Sequence, residues 1–400
     1  MIKARTAAPA AAFALAALLL AGCSNGAAPT SEPTNGETTA PTTEPTPSET
    51  LSPEAEEALA IAYAGLGLPL VDIEPAPAPE GINFYVMSCG EMVATCALPA
   101  KYMMEAAEAA GWNANLVDGK LNPEGFATAI RQAIAGGADV IVPVGINCSA
   151  AAQAFAEAKA AGIVVVSGGG LDDCDPAQWA FPVRLWLPEL PLPSMGFPEW
   201  QDPFHNYGYL AANYAIGKTD GDVKAITVTA TTNAWQEWFT EGFEATLDQL
   251  GGGEIVEDIR ISDQEVADGS FIQKVTTALL NHPEANVIYV TTDAYYENGL
   301  AAALDQAGRG DIIAIGNFGG DGAIDMIRNG QPGITATVAT VSAWEAWGSI
   351  DTAIRILNGQ APIMIGQSVQ VVDKDHNMPA TGGYQGTEDF RAVFLESWGR

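Results

Sequence analysis

The sequence predicts an α/β protein built from two similar lobes, each a doubly wound parallel sheet. The chain has 400 residues, more than one hydrophobic core usually organises, and 48% of them are apolar. From Ile82 onward, short β-rich runs alternate with segments of helical composition, an order typical of parallel strands joined by right-handed crossovers. The alternation breaks across 171–202, a stretch rich in proline and tryptophan, and restarts at His205. Two copies of one pattern indicate two lobes.

The first copy of the pattern starts at Ile82. Gly111 follows a helix-like segment, where glycine is a favoured terminating residue. Phe126, Ile130 and Ile134 recur at helical spacing, and the run 139–146 is apolar after its first residue, Asp139, as expected of a strand covered on both faces. In chain order we predict a strand at 82–89, a helix at 99–110, a strand at 113–120, a helix around Ile130, a strand at 139–146, a helix at 150–161 and a strand at 163–170.

The second copy begins with a helix at 205–216. Its next helix is amphipathic, because Trp235, Phe239, Phe243 and Leu247 fall on one face. We predict strands at 223–231, 254–262, 286–293, 311–318 and 334–342, and further helices at 271–280, 296–307, 322–328 and 343–357.

The charge of the chain limits its partners. Aspartate and glutamate outnumber lysine and arginine 49 to 17, which gives a net charge of −32. Such a surface repels phosphate backbones and anionic lipid head groups, so nucleic-acid binding is not expected. The acidity is typical of a solvated surface that keeps an exported protein soluble.

The first residues predict export. Lys3 and Arg5 precede an apolar stretch that is too short for a transmembrane helix, and together they predict a signal peptide over residues 1–22. The end of this stretch, Leu20–Cys23, resembles the lipobox of bacterial lipoproteins, in which the cysteine receives diacylglycerol and becomes the first residue of the mature chain. The alternative is an ordinary secretory signal in which Cys23 is incidental.

Residues 23–80 are predicted to form a flexible tether. Proline, threonine, serine and glutamate dominate the part after Cys23, and such a composition buries too little apolar surface to offset the entropy of ordering. A short helix is possible from Pro53 to Gly65, before a second proline-rich spacer that ends at Gly81. We therefore expect a lipid-anchored, extracytoplasmic body held away from a cell membrane.

The folded body resembles a known family. The segment 111–166 is similar to the first lobe of periplasmic sugar-binding proteins related to ribose- and galactose-binding proteins, which are the substrate-binding components of ABC importers. The segments 287–308 and 312–339 resemble signatures of the second lobe. The family's first-lobe motif positions are occupied here by Asp118, Pro123, Gly137–Asp139 and Ala161–Ile163.

This resemblance implies the type I periplasmic binding protein fold, in which a three-strand hinge joins the lobes. It implies a small-molecule ligand in the cleft between the lobes, at the carboxyl ends of the strands, where open α/β sheets generally bind ligands. It also implies an ABC permease as partner, and we expect a monomer. The implied first lobe comprises 81–203 and 341–366, the second comprises 204–340 and 367–400, and the chain crosses near 202–205, 340–342 and 363–368.

Candidate ligand-binding residues follow the predicted strands. Carboxylates and amides suit vicinal sugar hydroxyls, and aromatic rings cover the C–H face of a sugar. Each residue alone could instead cap a helix or belong to the core. Phe318 also lies at a strand end. The candidates are Glu91, Met92, Asn147, Asp172, Asn233, Trp235, Asp293, Tyr295, Asn317, Asp321, Thr340 and Trp344.

The sequence differs from ribose-type members at several of these places. Gly168–Gly170 stands where those members carry an Asp-Arg pair, and Thr340 stands where they carry glutamine. A simple pentose is therefore not implied, and a non-sugar solute such as an amino acid or nucleoside stays open. The Trp-rich insertion 171–202 either packs against the first lobe, which we favour, or lines an enlarged cleft.

Four cysteines remain once Cys23 is assigned to lipid. All four lie on loops at the carboxyl ends of first-lobe strands, and an even number in an oxidising compartment predicts disulfides. We favour the pairs Cys89 with Cys96 and Cys148 with Cys174. A zinc site from the same residues is the alternative, although the spacing of ribbon-type sites is missing.

The sequence does not favour an enzyme. His205, His282 and His376 lie far apart, and none is in a metalloprotease or nucleophile-elbow context. The glycine-rich stretch at 316–322 lacks the Lys-Ser/Thr of a phosphate loop. No cofactor or metal is expected. The rivals to a transport receptor are a sensor that presents its bound state to a membrane signalling protein and a surface scaffold with a vestigial cleft.

Overall fold

The computed structural model describes residues 51–70, 73–182, 202–231, 234–386 and 388–400. The predicted signal peptide, Cys23, the first part of the tether, Asn233, and Trp186 and Trp200 of the insertion lie outside these residues.

The described chain alternates strands and helices as predicted. The strands are β1 (Leu66–Leu68), β2 (Asn83–Ser88), β3 (Asn113–Asp118), β4 (Val140–Pro143), β5 (Val164–Val165), β6 (Val223–Ala230), β7 (Gly253–Ile261), β8 (Val287–Val290), β9 (Ile313–Phe318), β10 (Ala336–Thr340) and β11 (Gln367–Asp373). The helices are α1 (Pro53–Ala64), α2 (Ala94–Ala109), α3 (Pro123–Ala135), α4 (Ala152–Ala160), α5 (Asp202–Thr219), α6 (Ala234–Leu250), α7 (Asp263–Asp268), α8 (Phe271–Asn281), α9 (Ala301–Gln306), α10 (Asp321–Arg328), α11 (Ser342–Leu357) and α12 (Phe390–Trp398).

The strands form two sheets. The first-lobe sheet has the order β3-β2-β4-β5 and is parallel throughout. The second-lobe sheet has the order β1-β11-β10-β9-β8-β6-β7. Its strands β6 to β10 are parallel, and β11 and β1 join its edge antiparallel. Because the strand order reverses on either side of β2 and of β6, both sheets are doubly wound, and the predicted fold class is confirmed.

Local sequence signals explain how the helices begin and pack. Asn122 caps α3 by accepting a hydrogen bond from the Gly125 N–H at 2.8 Å, directly before Pro123 in the first turn. Helices α5 and α6 approach closely at Gly208 and Gly242. A Cβ atom at Gly208 would lie 2.1 Å from the Phe239 carbonyl oxygen, so only glycine allows this contact.

Helix α11 belongs to the first lobe, and it brings α12 with it. The Ser349 hydroxyl donates to the Ser167 carbonyl at the end of the first-lobe sheet, at 3.0 Å. The Trp347 ring stacks on Trp398 of α12 with centroids 5.3 Å apart. The sequence predicts that residues 367–400 belong to the second lobe. This prediction is wrong for α12, because the aromatic side chains of α12 are buried against the tryptophans of α11.

The segment predicted as a tether is partly folded. The predicted short helix exists as α1, which ends at Gly65, and its alanine face packs on α5. A Cβ atom at Gly217 of α5 would lie 2.3 Å from Leu59 Cγ, so the two helices are in close contact. Strand β1 then pairs with β11. Residues 51–70 are therefore part of the second lobe, and the flexible tether cannot extend to residue 80 as predicted.

No helix among the described ranges is long and apolar enough to span a membrane.

Candidate ligand-binding site

Two disulfides shape the rim of the first lobe. Cys89 is bonded to Cys96, with Cα atoms 5.3 Å apart, and Cys148 is bonded to Cys174, with Cα atoms 5.6 Å apart. This is the predicted pairing. The metal alternative would need free thiolates, and the described structure uses all four sulfur atoms in disulfides.

The first disulfide closes the loop that carries Glu91 and Met92. The Glu91 N–H donates to Asp118 Oδ1 at 3.2 Å, which ties this loop to the end of the neighbouring strand β3. The Glu91 side chain is exposed, and Met92 is 84% exposed. Both candidates are therefore placed on a fixed loop with side chains free to meet a ligand.

Asn147 and Asp172 hold the next two loops together. Asn147 Oδ1 accepts the Leu171 N–H at 3.2 Å. Asp172 accepts three backbone N–H groups, of which those of Gln178 and Trp179 lie 2.6 and 2.7 Å from its Oδ2. Both predicted ligand residues thus organise the backbone beside the second disulfide. Trp179, the one tryptophan of the insertion in the described residues, is buried and packs against Phe155 of α4, as favoured for the insertion.

Asp293 lies beneath the loop that follows β9. Its Oδ2 atom accepts the Gly319 N–H at 2.7 Å and the Thr337 hydroxyl at 3.0 Å. Its Oδ1 atom has no hydrogen-bond partner within the described part of the chain and lies over Gly316, where a Cβ atom would be 2.0 Å away. Burial raises the pKa of Asp293 to about 8, because a charged carboxylate is poorly solvated there. Asp293 therefore holds the backbone of the loop after β9 from the buried side.

Asn317 is also buried behind the strand end. Its Nδ2 atom donates to the Tyr289 hydroxyl at 3.0 Å and to the Val290 carbonyl at 2.9 Å. Asn317 therefore links β9 to β8. In this conformation it supports the site and does not face solvent.

Asp321 is exposed at the start of α10, and it lies close to the other lobe. Its Oδ1 atom accepts the Gly383 N–H at 2.5 Å. Burial raises the pKa of Tyr102 on α2 of the first lobe, and the negative charge of Asp321 raises it further. Asp321 therefore acts electrostatically on α2 of the first lobe.

A cluster of aromatic rings surrounds Phe318 at the end of β9. The Phe318 ring centroid lies 5.7 Å from that of Trp235, 5.9 Å from Phe239 and 6.0 Å from Tyr207. Trp235 and Phe318 are partly exposed. Phe318 has φ 94°, a conformation that costs an L residue free energy and is concentrated at functional sites. The cluster offers flat apolar surface at the carboxyl end of the second-lobe sheet, where the sequence predicts ligand binding.

Two of the predicted ligand residues belong to the core. Tyr295 is buried; its hydroxyl donates to Gln236 Oε1 at 2.9 Å, and its ring packs against Phe271. Trp344 is buried; its Nε1 atom donates to the Ile365 carbonyl at 2.7 Å. Both side chains are engaged in packing in this structure, and their contact with ligand stays an untested prediction.

Thr340 belongs to a hydrogen-bond network at the crossings between lobes. Its hydroxyl donates to Glu345 Oε1 at 2.9 Å, and Gln367 Nε2 donates to the same oxygen at 2.6 Å. Gln367 Oε1 in turn accepts the Ser368 N–H at 2.8 Å. The second and third crossings are thereby joined, so Thr340 contributes to the hinge.

Sequence reasoning missed two polar residues near these loops. Gln236 Oε1 accepts hydrogen bonds from the Ala230 N–H, the Thr291 hydroxyl and Tyr295, which ties the loops after β6 and β8 together. Asn206 is fully buried at the start of α5, and neither of its amide atoms has a hydrogen-bond partner among the described residues. For Gln236, the sequence did offer a signal, because this glutamine interrupts the apolar face of a predicted helix.

Comparisons with solved structures support the same fold. The glucose-galactose binding protein GanP from Geobacillus stearothermophilus is 19% identical, with a TM-score of 0.59 over 74% of this chain and 99% of that chain. An ABC transporter solute binding protein from Mycobacterium smegmatis with bound glycerol is 18% identical, with a TM-score of 0.61 over 76% and 100%. A 5-methylthioribose transporter solute binding protein from Thermotoga lettingae is 18% identical, with a TM-score of 0.60 over 82% and 96%.

The family itself is shown by a match to the sequence. The model of the periplasmic binding protein domain matches residues 96–361, more than half of the chain. No curated protein sequence matches the chain. Members of this family are solute-binding proteins, so the prediction of a binding protein and not an enzyme is confirmed. The chain belongs to the periplasmic binding protein family.

Proposed function

We propose that this protein is a lipid-anchored, extracytoplasmic receptor that captures a sugar between its lobes and delivers it to an ABC importer. The observation that carries the proposal is the partly exposed pair of rings, Trp235 and Phe318, at the carboxyl end of the second-lobe sheet. Such rings bind the C–H face of a sugar ring, while exposed acids such as Asp321 and Glu91 accept hydrogen bonds from its hydroxyls.

The ligands of similar proteins support a polyhydroxylated solute. Those named above include a glucose-galactose binding protein, a protein with bound glycerol and a protein in complex with 5-methylthioribose. All of these ligands carry several hydroxyl groups. A simple pentose is not favoured, because this chain has Gly168–Gly170 and Thr340 at positions where ribose-type members carry hydrogen-bonding side chains.

Ligand binding must favour the closed form for a transporter to recognise it. A ligand that binds the open and closed forms equally does not change their populations. In the proposed site, Trp235, Phe318 and Asp321 are contributed by the second lobe, and Glu91 and Met92 by the first. A sugar that contacts both groups would therefore stabilise closure.

Isothermal titration against a panel of hexoses, pentoses and polyols is expected to give heat with at least one member. The Trp235→Ala variant should then bind about 10- to 100-fold more weakly, because it loses the stacking face, while Trp235→Phe keeps part of the affinity. Leu280→Ala, at an exposed position on α8, is the control and should bind normally. Heat with amino acids or purine nucleosides, but with no sugar or polyol, would refute the sugar assignment.

The lipid anchor is proposed from the Leu20–Cys23 pattern. The first described residues, which begin at Leu51, are followed directly by α1, so 28 residues, from 23 to 50, would separate the lipid from the folded body. In bacterial cells the wild-type chain is expected in the membrane fraction, and Cys23→Ser in the soluble extracytoplasmic fraction. If the wild type and Cys23→Ser were found in the membrane fraction to the same extent, the proposed anchor would be contradicted.

A further inference from the structure

The proline-rich segment 73–80 is bound along the first lobe. Its Ala76 N–H donates to the Ser397 carbonyl at 2.8 Å, and its Ala78 N–H donates to the Trp398 carbonyl at 3.0 Å. Ala76 is fully buried. The segment is therefore docked on the end of α12, although its composition is that of an exposed spacer.

Side chains of the first lobe satisfy the carbonyl groups of the same segment. Proline has no N–H and fixes its own φ, so an alternating proline segment is extended before it docks and loses little entropy on binding. The contacts come from Arg355 to the Glu74 carbonyl at 3.0 Å, Gln360 to Pro75 at 3.1 Å, Asn358 to Pro77 at 2.9 Å and Trp112 to Pro79 at 3.0 Å.

The preceding part of the chain is bound just as firmly to the second lobe. The Tyr63 hydroxyl donates to Asp373 Oδ2 at 2.7 Å, and β1 pairs antiparallel with β11 so that Leu68 lies opposite Gln367. A Cβ atom at Gly65 would lie 2.1 Å from the Val369 carbonyl oxygen, which shows how closely the chain passes the sheet edge.

These contacts attach one short stretch of chain to both lobes. Leu68 is the last residue paired in the second-lobe sheet, and Glu74 is the first whose carbonyl is bound by the first lobe. Six residue steps reach at most about 20 Å when fully extended. Gln367, opposite Leu68, is itself part of the hinge network described above. Strand β1 therefore ends beside the third crossing.

We propose that residues 51–80 form an N-terminal strap, a connection between the lobes that adds to the three crossings and to the return of the chain from β11 to α12, and that limits how far the cleft opens. Where opening of the cleft draws the two docking surfaces apart, the strap permits this separation only up to its extended length. The open ensemble is consequently restricted, and the ligand-free protein stays nearer the closed arrangement. The strap precedes residue 96, where the match to the family model begins, and its action does not depend on which ligand binds.

A ten-residue Gly-Ser insertion between Val71 and Asp72 tests the strap, because it adds length without removing any of the contacts above. In the full chain, spin labels are attached to ketone-bearing amino acids at the exposed positions Gln153 and Leu280. This attachment needs no added cysteine, so the disulfides are unaffected. Electron–electron dipolar spectroscopy then measures the distances between the two lobes. We expect the ligand-free insertion variant to extend its distribution by at least 5 Å beyond the wild-type limit, since its strap can span about 55 Å.

The matched control carries the same insertion in the exposed turn after α4, between Ala161 and Gly162, and should keep the wild-type distribution. Asn358→Ala with Gln360→Ala removes two first-lobe contacts without lengthening the chain and should broaden the distribution in the same direction. An unchanged distribution in the strap variant overturns the proposal. Equal broadening by both insertions also overturns it. Because no ligand is added, these results are independent of the titration that tests the sugar assignment.

Discussion

Replacement of Asp351 by alanine is expected to lower the free energy of unfolding by about 3–5 kcal/mol. Asp351 and Arg355 face each other one turn apart on α11, with Oδ2 and Nε 2.7 Å apart, and both are fully buried. Trp398 Nε1 also donates to Asp351 Oδ1, at 2.9 Å. Without the carboxylate, the Arg355 charge stays buried without its counter-ion and the indole N–H loses its acceptor. Chemical denaturation monitored by tryptophan fluorescence measures the change.

Three comparison variants separate charge from packing. Asp351→Asn keeps an acceptor for Trp398 and removes the charge, so we expect an intermediate loss. Asp351→Leu with Arg355→Met removes both charges and should be more stable than Asp351→Ala, because buried ion pairs can often be replaced by apolar side chains at little cost. Glu157→Ala breaks the exposed pair with Arg131 and should change stability little. A loss for Asp351→Ala as small as that for Glu157→Ala would contradict the expectation.

The Asp351–Arg355 ion pair also stabilises the surface on which the strap docks. Arg355 also donates to the Glu74 carbonyl, and Trp398 forms the end of the helix on which Ala78 docks. Loss of Asp351 therefore weakens both surfaces that hold residues 73–80. The ion pair is one reason why a proline-rich segment with little apolar surface stays ordered against the first lobe.

The sequence was sufficient for the fold because the alternation of strands and helices depends on local patterns. Runs such as 139–146 become β4 in the middle of a parallel sheet, where both faces are covered. Strand β11 and helix α12 were not predicted. Glutamine and serine interrupt the apolar pattern of β11, since Gln367 and Ser368 serve the hinge. Which lobe a terminal helix joins depends on tertiary packing, which periodicity does not report.

The sequence located the site only as a set of strand ends. The structure does place Trp235 and Asp321 after strands of the second-lobe sheet and Phe318 at the end of one, and their contact with a ligand stays a prediction. The sequence could not say which side chains point outward, because residues in irregular loops have no periodicity from which to infer direction. Tyr295 and Asp293 are only two positions apart, yet one packs in the core and the other holds the backbone of a neighbouring loop.

Composition was a poor guide to residues 51–80. Many alanines and prolines predict little apolar burial, and hence disorder. Alanine, however, allows α1 to approach α5 closely where Gly217 removes the obstructing Cβ atom. The carbonyl groups of the proline-rich part are satisfied by side chains distant in sequence, such as Asn358. Neither effect is visible until both partners are known.

Asp293→Asn is expected to make the folded protein more stable than wild type at pH 8 and nearly equal to it at pH 4. The ordinary pKa of an aspartate in an unfolded chain is about 3.9, and burial raises that of Asp293 to about 8 in the folded protein. Between these values the folded state holds a proton that the unfolded state releases. The stability from this group is therefore fully present below pH 4 and is lost as the pH rises through 8.

The difference in the free energy of unfolding between Asp293→Asn and the wild type isolates the contribution of this one carboxyl group. Each pKa unit corresponds to about 1.4 kcal/mol, so a shift of roughly four units predicts a gain on the order of 5 kcal/mol for Asp293→Asn at pH 8. Asparagine keeps an oxygen to accept from Gly319 and Thr337, so the loop after β9 should stay in place. Urea denaturation at pH 4, 6 and 8 measures the two curves, with the exposed Asp321→Asn as control. Parallel curves for Asp293→Asn and wild type would show that the buried carboxyl is ionised at neutral pH, and the loop would then be held by a charge and not by a neutral acid.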